Sequence, residues 1–454
     1  MNTAAIYRVG TLKYTQAGLV TLFVWLLWGD FCYNLMLQIM PQLMPLFLNR
    51  YGASPELISI LMIMFPEAVN LLLNPIISTA SDRTRTRWGR RRPYLLFTAP
   101  FLGLFLLLLG WSAEIGQWLA SLLGSGSEAE AAAVIVAVAS VLLVSFKIFE
   151  TFCTSVIYYI FNDVVPHQFI GSFTALFRIV GFGAVFVFQR YFMQFADEHM
   201  QWVFTGGAVL YVVGMTVMCL MVKEGEYPPV AENEKKASML GKLKLYWEEC
   251  FSMAIYNWFF FGVAINTVST ACRTTYNVLF ATEELGLSTG EFGVTMSYYP
   301  LVIIALTYPV GWLADRIPPI LLYIGGGVLI TLVNIFGFYL VNDGTSFLVL
   351  TILLAVVYVL QTASYLPMHM KMLPQEKYGQ FCSAGVIVRG ILMIGISGLS
   401  GYFIKFMGLY RYLFIWDFFF TIAGTFCLFM AYMYWRRLGG ATGNYVAPIP
   451  GNRN

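Results

Sequence analysis

Charge is scarce in this chain. Only 11% of its 454 residues are Asp, Glu, Lys or Arg, 59% are hydrophobic, and the mean hydropathy is +0.71. A soluble surface normally needs about a quarter of its residues charged, which excludes a soluble globular protein and leaves a bilayer as the fitting solvent. The net charge of +3 is confined to a few loops, so it reports topology and gives no reason to expect a nucleic-acid partner. Spacing is what the seven cysteines lack. Cys32, Cys153, Cys219, Cys250, Cys272, Cys382 and Cys427 are odd in number, scattered and mostly within apolar segments. They form neither a disulfide framework nor a zinc pattern and read as packing residues, with no metal or other cofactor expected. A GxxxxGK loop is missing too, which argues against direct drive by ATP, and no constellation suggests an enzyme. Arg8 and Lys13 precede an apolar stretch of about 30 residues, longer than the roughly 7 to 15 of a cleaved signal's core, so it reads as a retained first span.

Long apolar runs are what the chain has in abundance. A bilayer core about 30 Å thick takes about 20 helical residues, and that rule divides the sequence into twelve spans at 17–46, 55–81, 94–112, 131–164, 171–194, 201–222, 253–279, 290–313, 318–340, 345–370, 380–404 and 409–435. The expected fold is an all-α membrane protein with twelve transmembrane helices in two six-helix, pseudo-symmetric bundles. Residues 1–222 form the first bundle, 223–252 a cytoplasmic linker, 253–437 the second bundle and 438–454 a cytoplasmic tail. The linker holds Pro228 and Pro229, then an apolar stripe at Met239, Leu243, Trp247 and Cys250 that predicts an amphipathic helix in the membrane interface. With the N-terminus inside, 19 of the 27 Lys and Arg fall in cytoplasmic segments and four (Arg50, Arg190, Lys405, Arg411) in outer ones, an imbalance that sets the orientation.

The halves repeat. Asp82-Arg83 after the second span is echoed by Asp315-Arg316 after the eighth, and VVPHQFIGSFTALFR, ending at Arg178, by MLPQEKYGQFCSAGVIVR, ending at Arg389. A six-plus-six chain with such echoes is the pattern of a secondary transporter whose substrate site lies at the midplane.

Polar residues inside the spans fall at helical spacing. Asp30, Asn34, Gln38 and Gln42 recur every four residues along one face of the first span, and such a face is expected to line a cavity or bond a neighbouring helix, because lipid tolerates neither amides nor acids. Glu67, Asn70 and Asn74 share a face of the second span, with Glu67 near the bilayer centre, where a lone carboxylate is costly to keep charged. Lys147, Glu150, Thr154, Tyr158 and Asn162 share a broad face of the fourth, which ends at Asp163, and Lys147 and Glu150 are spaced to pair. Arg178 suits either a donor fork for a ligand or the counter-ion of Asp163 or Glu150. Four acids (Asp30, Glu67, Glu150, Asp163) thus face two bases (Lys147, Arg178), an excess that a bound proton or cation would relieve, and ion-coupled transport is the expectation. In the second half Asn266, Thr270, Arg273 and Asn277 share one face and Gln361, Tyr365 and His369 another, with Trp258, Tyr276, Tyr298 and Tyr299 adding rings. Amides with aromatic rings suit a neutral polyol. His369 reads as structural and Asp417 as undecided.

The stretch NPIISTASDRTRTRWGRRRP, at Asn74 to Pro93, carries the most specific signal, joined by GDFCY at Gly29 to Tyr33, MFPEA and, more weakly, NDVVP and Arg178. Concentrated in residues 29–93, this pattern resembles the sucrose transporters and their relatives, and is similar to the glycoside-pentoside-hexuronide:cation symporters of the major facilitator superfamily. The resemblance implies that Asp30 is a sugar-binding acid and that Arg178 lies near the sugar. Asn70 and Asn74 fall where those symporters hold sodium with aspartates, which argues against a sodium site of that kind and for a proton. The nearest match to the fourth-span acid of sucrose transporters is Glu150, while a gap-free match lands on Lys147, so the proton carrier stays open between Glu67 and Glu150. The full expectation is sugar binding by Asp30, Asn34, Gln38, Tyr158, Asn162, Arg178, Asn266, Gln361, Tyr365 and Arg389, and coupling through Glu67, Asn70, Asn74, Lys147, Glu150 and Asp163. Gating is expected at Asp82, Arg83, Arg87, Gly89, Arg90, Asp315 and Arg316. The chain then reads as a monomeric, multi-pass protein of the inner (plasma) membrane with both termini cytoplasmic, taking up a disaccharide or glycoside with a proton. An uncoupled facilitator and a proton-coupled exporter of amphipathic compounds are the alternatives.

Overall fold

The computed structural model describes residues 7–226, 246–440 and 445–448, without the side chains of Thr79, Asp82, Arg83, Asn162, His167 and Asp315. Apolar runs of this length become helices because a bilayer offers the backbone no partner but itself. The first six spans are Gln16–Arg50; a second built from Pro55–Ser59, Ile60–Met64 and Phe65–Arg83; Arg92–Gly110; Glu128–Val164; Ile170–Val187; and Met200–Met221. The second six are Ala254–Leu279, Thr289–Arg316, Pro319–Leu340, Gly344–Met372, Tyr378–Gly395 and Leu413–Arg437. Among the described residues eleven helices are long and apolar enough to cross a membrane by length and composition. The seventh span, Ala254–Leu279, is the exception: its 26 residues reach about 39 Å, but a row of Asn266, Thr267, Thr270, Arg273, Thr274 and Asn277 dilutes its apolar character.

Local chemistry sets the helix starts. Thr15 accepts from the Gly18 amide, Ser127 from that of Glu130, and Asp343 forms a reciprocal cap with Ser346. Three features depart from the sequence expectation. Residues 7–14 form a hairpin, Tyr7–Val9 paired with Leu12–Tyr14, and the stretch after the expected third span, which the sequence left unassigned, begins with the helix Ser112–Leu122, which packs on the fourth span. The third is a set of π-helical turns, Ile60–Met64, Phe188–Phe192 and Phe280–Glu284, of which the first immediately precedes the segment bearing Glu67. Such turns insert a residue into the helix and rotate the turns C-terminal to it.

The chain divides into two compact units, Met1–Ala231 with Ser288–Ser297, and Glu232–Leu287 with Tyr298–Asn454. The opening turns of the eighth span therefore group with the first unit, where Thr289 donates its hydroxyl to Asp197 Oδ2 at 2.8 Å. In the second unit the core includes Tyr256, Phe259, Phe260, Phe381 and Leu428. Residues 246–251 of the linker are helical and dock on this unit: Glu249 accepts from Lys377 Nζ at 2.7 Å and Gln380 Nε2 at 2.8 Å, Cys250 is buried and Trp247 exposed. Met239 and Leu243 of the expected stripe lie outside the described residues.

Candidate functional site

In the first unit GDFCY divides its residues between two faces. Gly29 lies so close to the Met218 side chain of the sixth span that no Cβ would fit, and Cys32 and Tyr33 are buried beside it, while Asp30 is fully buried. Asn34 Nδ2 donates to Asp30 Oδ1 at 2.7 Å and to the Asp30 carbonyl at 2.9 Å, but Asp30 Oδ2 is buried with no hydrogen-bond partner. Tyr33 bonds the Thr154 hydroxyl at 2.5 Å, tying the first span to the fourth, and one turn earlier Lys147 Nζ pairs with Glu150 Oε2 at 2.6 Å. Tyr158, 44% exposed, stands edge-on to Phe161 and Phe177 and within electrostatic reach of Asp30. Asp30, Asn34, Lys147, Glu150 and Tyr158 therefore form one polar wall, with Gln38 half-buried farther along the same helix.

The charge partners differ from the expected ones. Asp163 takes Nε and Nη2 of Arg90 at 2.9 and 2.5 Å and Arg91 Nε at 3.3 Å, so it belongs to the arginine-rich loop and is already compensated. Arg178 is exposed and forms no ion pair among the described residues, so it is the counter-ion of neither Asp163 nor Glu150. Glu67 is half-buried without a partner among the described residues, as are Asn70 and Asn74, with Asn74 Oδ1 buried and unbonded.

The loop itself is a knot of charges. Gly89 adopts a φ of 105°, a left-handed conformation that side chains resist, and this turns the amides of Arg90, Arg91 and Arg92 onto the Glu224 carboxylate at 2.9, 3.0 and 2.7 Å. The carboxylate sits at the start of the third span, where a helix favours an anion. Arg91 is buried, donates to Ser81 and lies 4.8 Å over the Tyr159 ring. Arg90 and Gly89, expected as gate residues, are both part of this knot. Arg87 is exposed beside Trp88, and Arg316 lies 3.7 Å over the Trp312 ring. Asp82, Arg83 and Asp315 have side chains outside those described. Sequence reasoning missed Glu224; its signal was an acid directly after the sixth span in a chain with little charge.

In the second unit Asn266 and Gln361 are buried and turned on each other, Gln361 Nε2 reaching Asn266 Oδ1 at 3.5 Å while Asn266 donates to Gly262. That contact links the seventh and tenth spans. Tyr365, 44% exposed, packs on His369 with ring centres 4.2 Å apart, and Arg389 is half-buried with its Nε unbonded. The sequence left Asp417 undecided; it is fully buried and pairs with Arg273 at 2.5 Å.

Residues 26–380 match the MFS/sugar transport protein family. The chain belongs to that family. It is a multi-pass membrane transporter and not an enzyme. Among relatives, a sucrose transport protein of Oryza sativa subsp. japonica is 34% identical over 70 residues, 15% of this chain and 13% of the relative, and a membrane-associated transporter protein of Mus musculus is 43% identical over 61 residues, 13% and 11%. The match thus spans a small fraction of either relative. Among solved structures a D-xylose-proton symporter superposes with TM-score 0.65 at 12% identity, covering 92% of this chain and 97% of that one. A nucleoside transporter superposes with TM-score 0.65 at 11% identity, over 90% of this chain and 100% of that one, and a POT family transporter with 0.60 at 12%, over 95% and 99%. At these identities the likeness establishes the fold alone.

Proposed function

We propose that this transporter takes up a neutral disaccharide or glycoside with a proton, by alternating access, in the inner (plasma) membrane. The observation that carries the reading is Asp30. One carboxylate oxygen is held by Asn34 while the other is buried and unbonded, which suits a hydroxyl donor arriving from a ligand. The family match and the relative named for sucrose transport support a sugar. Glu67 is the proton carrier in this reading, because it is half-buried without a cation while Glu150 already has Lys147. The excess of Lys and Arg in the loops assigned to the cytoplasm supports an inside location for both termini, and the chain acts as a monomer. Asp82 and Asp315 act as gate acids, each favoured by a helix N-terminus in one conformation only.

Uptake of a panel of glycosides into proteoliposomes, driven in turn by pH and sodium gradients, tests the proposal. A pH gradient is expected to drive accumulation, sodium to be dispensable, and Glu67→Gln to abolish accumulation while sparing counterflow exchange. A strict sodium requirement would refute the coupling, and equilibration without accumulation would make the chain a facilitator.

A further inference from the structure

Among the described residues, Arg273 and Asp417 form the most deeply placed ion pair of the second unit, and they are unequally placed. The Asp417 side chain is 0% exposed while that of Arg273 is 12% exposed. Only one guanidinium nitrogen is engaged: Nη1 meets Asp417 Oδ2 at 2.5 Å and donates to Asn334 Oδ1 at 3.4 Å. A guanidinium has five N–H donors, so the three on Nε and Nη2 carry no partner among the described residues. Asp417 is held from behind, where Thr421 donates to its Oδ1 at 3.2 Å and also bonds Ser269. Tyr299 and Tyr358 lie within electrostatic reach of Arg273, with their rings 6.3 Å apart. Asn334 is buried with its Nδ2 unbonded. Arginine in a membrane span faces protein or water and not lipid, so the partly exposed face of Thr270, Arg273 and Asn277 is turned away from the bilayer.

We infer that Arg273 is a sugar-contacting residue of the second unit, with Asp417 as the positioning residue that holds its guanidinium and cancels its charge. The inference rests on the sugar reading above and moves the contact in this unit away from Asn266 and Gln361. Three N–H donors without a partner among the described residues fit an array of hydroxyl or ring oxygens, and the two phenol rings offer surface for the C–H faces of a pyranose. Compensation by Asp417 makes the subsite neutral overall. A neutral subsite prefers a neutral glycoside to its carboxylated counterpart, so the Arg273–Asp417 pair is a determinant of substrate charge.

The test compares a β-glucoside with the matching β-glucuronide on the purified full-length transporter, by calorimetry and counterflow, with thermal unfolding alongside to confirm folding. Arg273→Gln is expected to weaken glucoside binding about 10- to 100-fold, the effect of one lost charged hydrogen bond. Arg273→Lys is expected to restore part of it, since an ammonium lacks the fork. Asp417→Asn strands a bare cation and should move the glucuronide-to-glucoside preference toward the glucuronide by about tenfold or more. Should that variant fail to fold, Arg273→Gln with Asp417→Asn removes both charges together and is expected to fold, to lose glucoside affinity and to gain none for the glucuronide. A folded double variant that binds the glucoside like the parent would overturn the inference, as would a folded Asp417→Asn with unchanged preference. If the parent chain binds no sugar of the wider panel, the sugar reading falls and the subsite with it.

Discussion

Asp163→Asn separates coupling chemistry from loop architecture. The Asp163 side chain is 8% exposed and takes three hydrogen bonds from two guanidiniums, two of them the parallel fork of Arg90. Hydrogen bonds to charged groups contribute about 1.5–3 kcal/mol each, and deleting one member of a buried ion pair costs about 3–5 kcal/mol. Asparagine keeps one acceptor oxygen, and Arg90 is 21% exposed so that water relieves part of the loss. The expected cost is therefore about 2–4 kcal/mol, reaching only the lower part of the buried-pair range. Melting followed by intrinsic fluorescence in detergent, with a denaturant series at fixed temperature, should report that loss, and Arg90→Gln should reproduce it without adding to it when both are present. The proton-to-sugar ratio measured in proteoliposomes should stay at the parent value, because the carboxylate already has its cations. Parent-like stability with an altered ratio would show that Asp163 carries the proton and that the ion pair is incidental.

The remaining predictions concern the ligand acid and the docked linker helix. Asp30→Ala should lower sugar affinity by one to two decades, the effect of a lost charged hydrogen bond of about 1.5–3 kcal/mol, and unchanged binding by calorimetry would make Asp30 structural. Bonds from Lys377 and Gln380 hold the Glu249 carboxyl below its ordinary value of 4.5. Its contribution to docking is therefore complete above pH 4.5 and fades as the pH falls through the lower folded value. Protection factors across residues 246–251, taken against the intrinsic exchange rate at each pH, should fall below that range, and Glu249→Gln should remove that pH dependence; protection that is lost instead on raising the pH from about 5 to about 8 would contradict the assignment.

How much of the molecule was legible in the sequence depends on the range of each interaction. The spans could be read because the bilayer imposes one length and one chemistry on every segment, and the Lys147–Glu150 pair because both lie on one helix. Asp163 with Arg90, Glu224 with three successive amides, and Arg273 with Asp417 join segments far apart in the chain, and a one-dimensional reading supplied the wrong neighbour (Arg178) or none. The hairpin at residues 7–14 and the helix Ser112–Leu122 are too short for periodicity to reveal. Glu224 shows the limit well: its role depends on Gly89 turning three amides toward one point, which composition does not report.

The ion pairs favour Glu67 over Glu150 as the proton carrier of the proposed mechanism. Protonating Glu150 would remove one charge and strand its partner, because Lys147 Nζ sits 2.6 Å away and both side chains are largely buried. The proton would exchange one uncompensated buried charge for another, with no net relief. Protonating Glu67 strands nothing. It has no cationic partner among the described residues, and the π-helical turn before it fixes how the helix that carries it is rotated. Of the four acids Asp30, Glu67, Glu150 and Asp163, Asp30 also has no cation among the described residues, but Asn34 already holds one of its oxygens and the ligand is proposed to take the other. If sugar hydroxyls satisfy Asp30, Glu67 is the acid whose neutralisation removes an unmatched charge before the span reorients. Glu67→Gln should thus mimic the protonated state and exchange sugar freely, whereas Glu150→Gln should leave Lys147 unpaired and impair binding and exchange together.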